Sequence, residues 1–356
     1  KARANCLGCA KGGSQQAVEP VSNGVEQPPG IIAIGASAGG VEALKQLAAG
    51  LPAELPYAVL VTLHMAAGSP SVLARIIDRS GPLPAQKAVD GEHVRPGRIY
   101  VSVPDRHLLV ADHRLVVSRG PTEDGHRPAI NPLLRSAAVA FGPRAIGVLL
   151  SGVLDDGVLG LVAIRSRGGV TVVQRPDDAL FPDMPRNALA ARTVDHEVTA
   201  ASAGRLFAEL TRTRGEEAPM EPEPDPAMEL ENRIAMGPRF ADTFDAELLG
   251  PPSGYTCPDC NGSLMAVGTT NYRCRVGHAW TPENLFLARD SETEHALWIA
   301  LRSLEEKARL SRKLADNVGP GALQRRYVAI ADEAENAVDV LRDRLADLIS
   351  EPSERR

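Results

Sequence analysis

Residues 31–40 read IIAIGASAGG, an apolar run that breaks into a turn of glycines, alanines and one serine, Ser37. A small-residue turn between a strand and a helix can hold a hydroxyl clear of the chain as a nucleophile. It can equally cradle a phosphate against the helix N-terminus. A nucleophile needs a proton acceptor and an orienting acid from elsewhere in the chain, whereas a dinucleotide cradle needs an acid near the end of the second strand.

Outward from this turn, residues 30 to about 213 alternate short apolar runs with helical stretches. IIAIG leads to VEALKQLAAGL, PYAVLVTLH leads to SPSVLARIIDRSG, and GRIYVSV, AIGVLLSG and VTVVQ follow. The runs lack polar alternation, as strands covered on both faces do. This predicts an α/β fold with a doubly wound, mostly parallel sheet. HLLVAD and HRLVVSR, back to back, add one antiparallel hairpin.

In such a sheet the loops at the carboxyl ends of the strands share one edge. Ser37 follows the first strand, His64 ends the second, and Asp155 and Asp156 follow AIGVLLSG. A hydroxyl, an imidazole and a carboxylate from three strand ends suit nucleophilic acyl transfer. Each has a plainer reading alone: Ser37 as a cap, His64 as one structural histidine among His93, His107, His113, His126 and His196, and Asp-Gly as a turn. Their coincidence favours chemistry. The order Ser, His, Asp differs from the Ser, Asp, His order of the α/β-hydrolases, despite the GxSxG string. The nucleotide reading fares worse, because the second strand ends in Leu63-His64 and the nearby acid, Glu54, precedes it.

Six blocks now carry a resemblance: IIAIGASAGGVEAL, VTLHM, GRIYVSVPDRHLLV, HRPAINPLLRSAA, AIGVLLSGVLDDGVLGL and MPRNAL. In that order they resemble the catalytic domain of the chemotaxis protein-glutamate methylesterases (CheB). The resemblance implies hydrolysis of γ-glutamyl methyl esters, with glutamine deamidation, on chemoreceptor helices. It implies Ser37 as nucleophile, His64 as base and Asp156, the acid directly before the glycine, as its orienting partner, with the Val153 N–H in the oxyanion hole. Three departures stand out. Ser151-Gly152-Val153-Leu154 replaces the family's Thr-Gly-Met-Gly, and Asn131 stands where that family has an acid, both bearing on substrate fit. The family's N-terminal receiver domain is also too large for residues 1–29, so aspartyl-phosphate control is not expected within this sequence, and the C-terminal segment is the candidate regulator.

The rest of the chain divides by composition. Residues 1–29 read as a flexible tail whose Cys6-Cys9 pair lacks further ligands. Residues 214–250, acidic and proline-rich, read as an extended linker. Within residues 251–281, Cys257-x2-Cys260 and Cys274-x3-His278 predict a zinc ribbon, closed by four ligands and therefore structural. Arg273 and Arg275 beside those ligands read as a solvated face. Residues 282–350 predict a helical hairpin, with Thr281 as N-cap and Pro282 in the first turn. Val338, Leu341, Leu345 and Leu348 form one apolar stripe there, and the C-terminal helices also offer a surface for self-association.

A net charge of −6 leaves no basic footprint for nucleic acid, and no apolar run suffices for membrane insertion. The polar start carries no signal-peptide pattern, and the five cysteines are odd in number and cluster late. Both features point to a cytoplasmic, reducing setting. The expected partner is a methylated chemoreceptor or similar helical signalling protein. The rival reading is a catalytically weak esterase fold that recruits partners through its C-terminal module.

Overall fold

The computed structural model describes residues 27–213, 222–223, 225–237, 249–268 and 271–350, so Cys6 and Cys9 lie outside the described residues. In chain order, β1 (Ile31–Ala36), β2 (Ala58–Leu63), β3 (Ala85–Lys87) and β4 (Ile99–Val101) precede a hairpin of β5 (His107–Ala111) and β6 (Arg114–Ser118). β7 (Ala145–Leu149), β8 (Val170–Gln174) and β9 (His196–Val198) follow. All but the hairpin join one sheet in the order β3-β4-β2-β1-β7-β8-β9. Every pairing in it is parallel.

Strand β1 lies at the centre and feeds both faces. Ile32, Ile34 and Ala36 pack with α1 (Gly40–Ala49), α2 (Leu73–Asp78) and Phe207 of α6 (Ala203–Thr213). Ile31 and Ala33 pack on the other face with α3 (Ile130–Phe141), α4 (Val158–Ser166) and Met184 of α5 (Asp183–Ala190). Two cores explain why the strand sequences do not alternate. Each buried isoleucine contributes about 1.5–3 kcal/mol. β2 and β7 flank β1 on opposite sides, so the topological switch point lies at β1, and sites form outside the carboxyl ends of such strands.

The segment read as an extended linker contains a helix, α7 (Pro226–Met236). The Asp225 side chain accepts the Ala227 N–H at 3.0 Å, Pro226 occupies the first turn, and Gly237 ends the helix at φ 83°. These are ordinary start and stop signals, outweighed in the sequence by the acidic, proline-rich run ahead of them. Ile234, Ala235 and Met236 are buried, and Ala235 and Met236 pack against Leu109 and Val116 of the hairpin.

Beyond it, β10 (Pro252–Thr256), β11 (Ser263–Val267), β12 (Asn271–Cys274) and β13 (Ala279–Trp280) make a small antiparallel sheet. Two long helices, α8 (Pro282–Asn317) and α9 (Ala322–Ser350), then fold back on each other. The Thr281 hydroxyl caps α8 by accepting the Asn284 N–H at 3.3 Å. Val338 and Leu345 of the predicted stripe are buried against Leu301, with Leu341 beside them, so the stripe joins the two helices of one chain. No helix among the described residues is long and apolar enough to cross a membrane.

Candidate active site

Strands β1, β2 and β7 end side by side. Ser37 directly follows β1, its N–H donating to the Ser151 carbonyl and its own carbonyl accepting the Gly40 N–H, each at 2.9 Å. The Ser151 hydroxyl clamps this turn from the β7 side, donating to the Ala38 carbonyl at 2.7 Å and accepting the Phe181 N–H at 2.9 Å. Between them Gly39 turns the chain at φ 72°, and a Cβ there would stand 2.6 Å from the Ser151 hydroxyl and 2.9 Å from Leu180 Cβ. Gly39→Ala therefore meets left-handed strain of about 1–2 kcal/mol as well as a crowded clamp. A lower thermal midpoint is expected, together with reduced Ser37 reactivity; a melting curve and the labelling rate of Ser37 by a fluorophosphonate check both.

His64 directly follows β2, and its N–H donates to the Ala36 carbonyl at 3.1 Å. Its ring spans the gap between the other two groups: Nδ1 lies 3.1 Å from Ser37 Oγ, and Nε2 lies 2.7 Å from Asp156 Oδ2. A carboxylate only accepts, so these partners assign the ring proton to Nε2 and leave Nδ1 to accept from the serine. Asp156 Oδ2 also accepts the Ile130 N–H at 2.7 Å, and Oδ1 accepts the Asn131 N–H at 3.0 Å. Both amides belong to the first turn of α3, whose unpaired N–H groups favour an anion. Burial alone would raise the Asp156 carboxyl; the hydrogen bond and charge of His64, with the Ile130 amide, outweigh it and hold the group below the ordinary carboxylate value. This arrangement can take a proton from a serine hydroxyl with an anion behind the ring.

The remaining histidines separate by environment. His126 stacks face to face on His64, ring centroids 3.9 Å apart and planes 13° from parallel, and donates through Nδ1 to the Asp124 carbonyl at 2.7 Å. Burial, then the neighbouring His64, lowers its pKa, which suits an uncharged ring on that face. His107 is fully buried, donating to the Pro121 carbonyl at 2.8 Å and accepting the Ala129 N–H at 3.2 Å, which makes it structural. His113 packs edge-on against Phe141, His93 pairs with Arg114, and His196 opens β9. The His126 contact was hidden in the sequence, because a stack over 62 positions leaves no spacing signature.

The departures from the resembled family also have places. Asn131 is buried, and its Oδ1 accepts the N–H groups of Gly157 and Gly160 at 3.0 and 2.8 Å. It ties down the start of α4, a task that needs only an oxygen. Leu154 adopts φ 65°, where a glycine would be unstrained, and the Asn187 side chain holds it by donating to its carbonyl at 2.8 Å. The Gly152 end of this turn abuts the serine, since a Cβ on Gly152 would lie 3.0 Å from that of Ser37. The Val153 N–H donates to no group among the described residues. A cleft of about 470 Å³ opens beside His64, lined by Met65, Asp105, Thr122, His126 and Arg127.

Asp155, the other acid of the pair, points toward the C-terminal segment. It accepts from the Thr281 hydroxyl at 3.0 Å and from the Asn284 amide. Burial pushes its carboxyl up to about 6, with Glu283 and Asp156 adding to the rise and the Thr281 hydroxyl opposing it. Arg273, read as solvated, is instead fully buried, because it bonds to Glu123 at 3.1 Å and Glu231 at 3.3 Å. Cys257, Cys260, Cys274 and His278 gather with all ligand atoms within 4.8 Å of one another. The Cys257–His278, Cys260–Cys274 and Cys274–His278 separations are each 3.6 Å. These match the edges of a tetrahedron whose metal–sulfur and metal–nitrogen bonds are about 2.3 and 2.0 Å. The group could therefore hold a metal ion.

Residues 32–206 match the family model described as CheB methylesterase. A Leptospira interrogans protein, named provisionally as a protein-glutamate methylesterase/protein-glutamine glutaminase, is 33% identical over 187 residues, covering 52% of this chain and 97% of that one. Protein-glutamate methylesterase/protein-glutamine glutaminase 3 of Anaeromyxobacter dehalogenans is 42% identical over 167 residues, 46% of this chain and 49% of that protein. The chain thus spans about half the length of such curated relatives. The crystal structure of the Thermotoga maritima CheB methylesterase catalytic domain is 27% identical, with 51% of this chain and 98% of that chain covered at a TM-score of 0.49.

Proposed function

We propose, since this chain belongs to the CheB methylesterase family, that it is a serine esterase hydrolysing γ-glutamyl methyl esters of a protein substrate. The observation that carries this reading is the hydrogen-bonded line from Ser37 through His64 to Asp156. Ser37 Oγ bonds to the ester carbonyl carbon as its proton passes to His64 Nδ1. The carbon–methoxy bond then breaks, and methoxide takes that proton and leaves as methanol. Water attacks the acyl-enzyme, giving a proton to His64, and the glutamate carboxylate departs as Ser37 regains its hydrogen. Asp156 stabilises the charged ring at each stage. The Val153 N–H, unbonded among the described residues and next in the chain to Gly152, which abuts Ser37, supports its role as an oxyanion donor.

The names of the relatives also support deamidation of glutamine by the same acyl chemistry. The substrate we favour is a methylated, chemoreceptor-like helix acting in chemotaxis-type adaptation, and the setting a cytoplasmic one. We assign zinc to Cys257, Cys260, Cys274 and His278 as a structural ion. Four protein ligands leave no open position, so the ion would cross-link the ribbon and take no part in hydrolysis. The paired distances around His64 favour an esterase over an inactive recruitment fold. The test is methanol release from a methylated chemoreceptor fragment by the full chain. Release at a rate proportional to enzyme supports the reading; none above the uncatalysed rate removes it.

A further inference from the structure

The C-terminal ribbon does not hang free of the catalytic domain. Its contacts converge on residues 121–127, the loop that lays His126 over His64. The Ala279 N–H donates to the Thr122 carbonyl at 3.2 Å, and the Asp124 N–H donates to the Ala279 carbonyl at 2.8 Å. The Thr122 hydroxyl donates to Asp259 at 2.6 Å, and the Thr281 N–H donates to the Asp124 carboxyl at 2.8 Å. Gly277, at φ 103°, passes so close that a Cβ on it would be 2.8 Å from Pro121. Glu123, 2% exposed, receives both Arg273 of the ribbon and Arg135 of α3, while Glu231 of α7 closes the network on Arg273.

The residues making these contacts are neighbours of the metal-ligating group. Asp259 lies between Cys257 and Cys260, Arg273 precedes Cys274, and Ala279 follows His278. Three residues beyond His278, Thr281 also reaches Asp155, the residue joined to Asp156. The Cys/His cage is thus tied to both walls of the site: the loop under His126 and the turn that carries Asp156. Among the described residues the ribbon has a small core, Leu264, Trp280 and Leu285 on the buried cysteines with Tyr272 beside them, so a bound ion would supply much of its order.

We propose that Arg273 and Thr281 are positioning residues through which a filled Cys257/Cys260/Cys274/His278 cage holds the Ser37–His64–Asp156 line in register. Esterase activity then depends on metal although the metal touches no reacting atom. This rests on the hydrolase reading above, and the physical reason is tolerance. A displacement of about 1 Å in a catalytic constellation can cost 10²-fold in rate. Losing the ion frees the loop and the Asp155 turn together.

The test uses the full chain, stripped by a chelator and reloaded with zinc(II) alone. Two readouts are followed: hydrogen exchange of residues 121–127 and 153–157, and the labelling rate of Ser37 by a fluorophosphonate. Stripping is expected to raise exchange in both segments and slow labelling by about tenfold or more, with zinc restoring each. Thr281→Val, with the cage loaded, should lower kcat about tenfold at nearly constant KM, while Thr281→Ser should restore it. Unchanged exchange on stripping, no uptake of zinc, or a Thr281→Val enzyme equal to Thr281→Ser would overturn the proposal. Exchange needs no turnover, so a loaded chain that neither labels nor hydrolyses would sink the esterase reading while the exchange result still judges the coupling.

Discussion

Replacing Ser37 by alanine should lower methanol release by about 10⁶-fold, to the level that substrate binding and the oxyanion donors sustain alone. The size of the effect follows from the chemistry, since without Oγ no acyl-enzyme can form and His64 has no hydroxyl to activate. The substitution should spare the fold. The turn is held by the backbone of Ser37, through Ser151 and Gly40, and by the Ser151 hydroxyl on Ala38, none of which involves the Ser37 side chain. A thermal midpoint close to that of the parent is therefore expected alongside the lost activity. A turnover assay on the methylated fragment, run beside a melting curve, measures both. Equal release from parent and Ser37→Ala would place the nucleophile elsewhere and reopen the reading of IIAIGASAGG as a phosphate cradle, which thermal stabilisation by millimolar nucleotide would then reveal.

The architecture was readable where the chain repeats one physical condition over several residues. Strand β1 has no polar residue and β2 only Thr62, the pattern of strands covered on both faces. Strands β3 and β9 were not readable, since each has three residues, is half exposed and lies at a sheet edge. The α7 helix had its signals, Asp-Pro and a closing Gly, but composition around them argued for an open linker. For the site, position at a strand end is enough to bring Ser37 and His64 to one edge, because topology alone puts carboxyl ends together. Nothing local separates Asp155 from Asp156; the resemblance selects Asp156, and the structure turns the two carboxylates in different directions. Arg273 marks the limit of such reading. An arginine beside a candidate metal ligand reads as solvated, and only the fold reveals Glu123 and Glu231 both within reach of its Nη2. Its two partners lie 150 and 42 positions upstream.

Asp156→Asn should reduce kcat by about 10⁴-fold, and the environment of the side chain explains why no rotamer rescues it. The carboxylate serves three donors: His64 Nε2 and the Ile130 N–H on Oδ2, and the Asn131 N–H on Oδ1. An amide has one accepting end. With its oxygen in the Oδ2 place, His64 keeps its tautomer, but the new NH2 faces the Asn131 N–H and the anion behind the ring is gone. With its oxygen in the Oδ1 place, the NH2 confronts the Ile130 N–H and donates to Nε2, which drives the ring proton onto Nδ1, opposite the serine it should deprotonate. Either way a buried backbone donor is stranded, costing about 1–3 kcal/mol of stability, so the variant should also melt earlier than Ser37→Ala. That contrast separates the two roles, because the serine acts without holding the fold while the aspartate holds α3, the ring and the charge together. An Asp156→Asn enzyme retaining more than a tenth of parental kcat would show that the carboxylate neither fixes the tautomer nor stabilises the imidazolium, and the proton path drawn through His64 would fail with it.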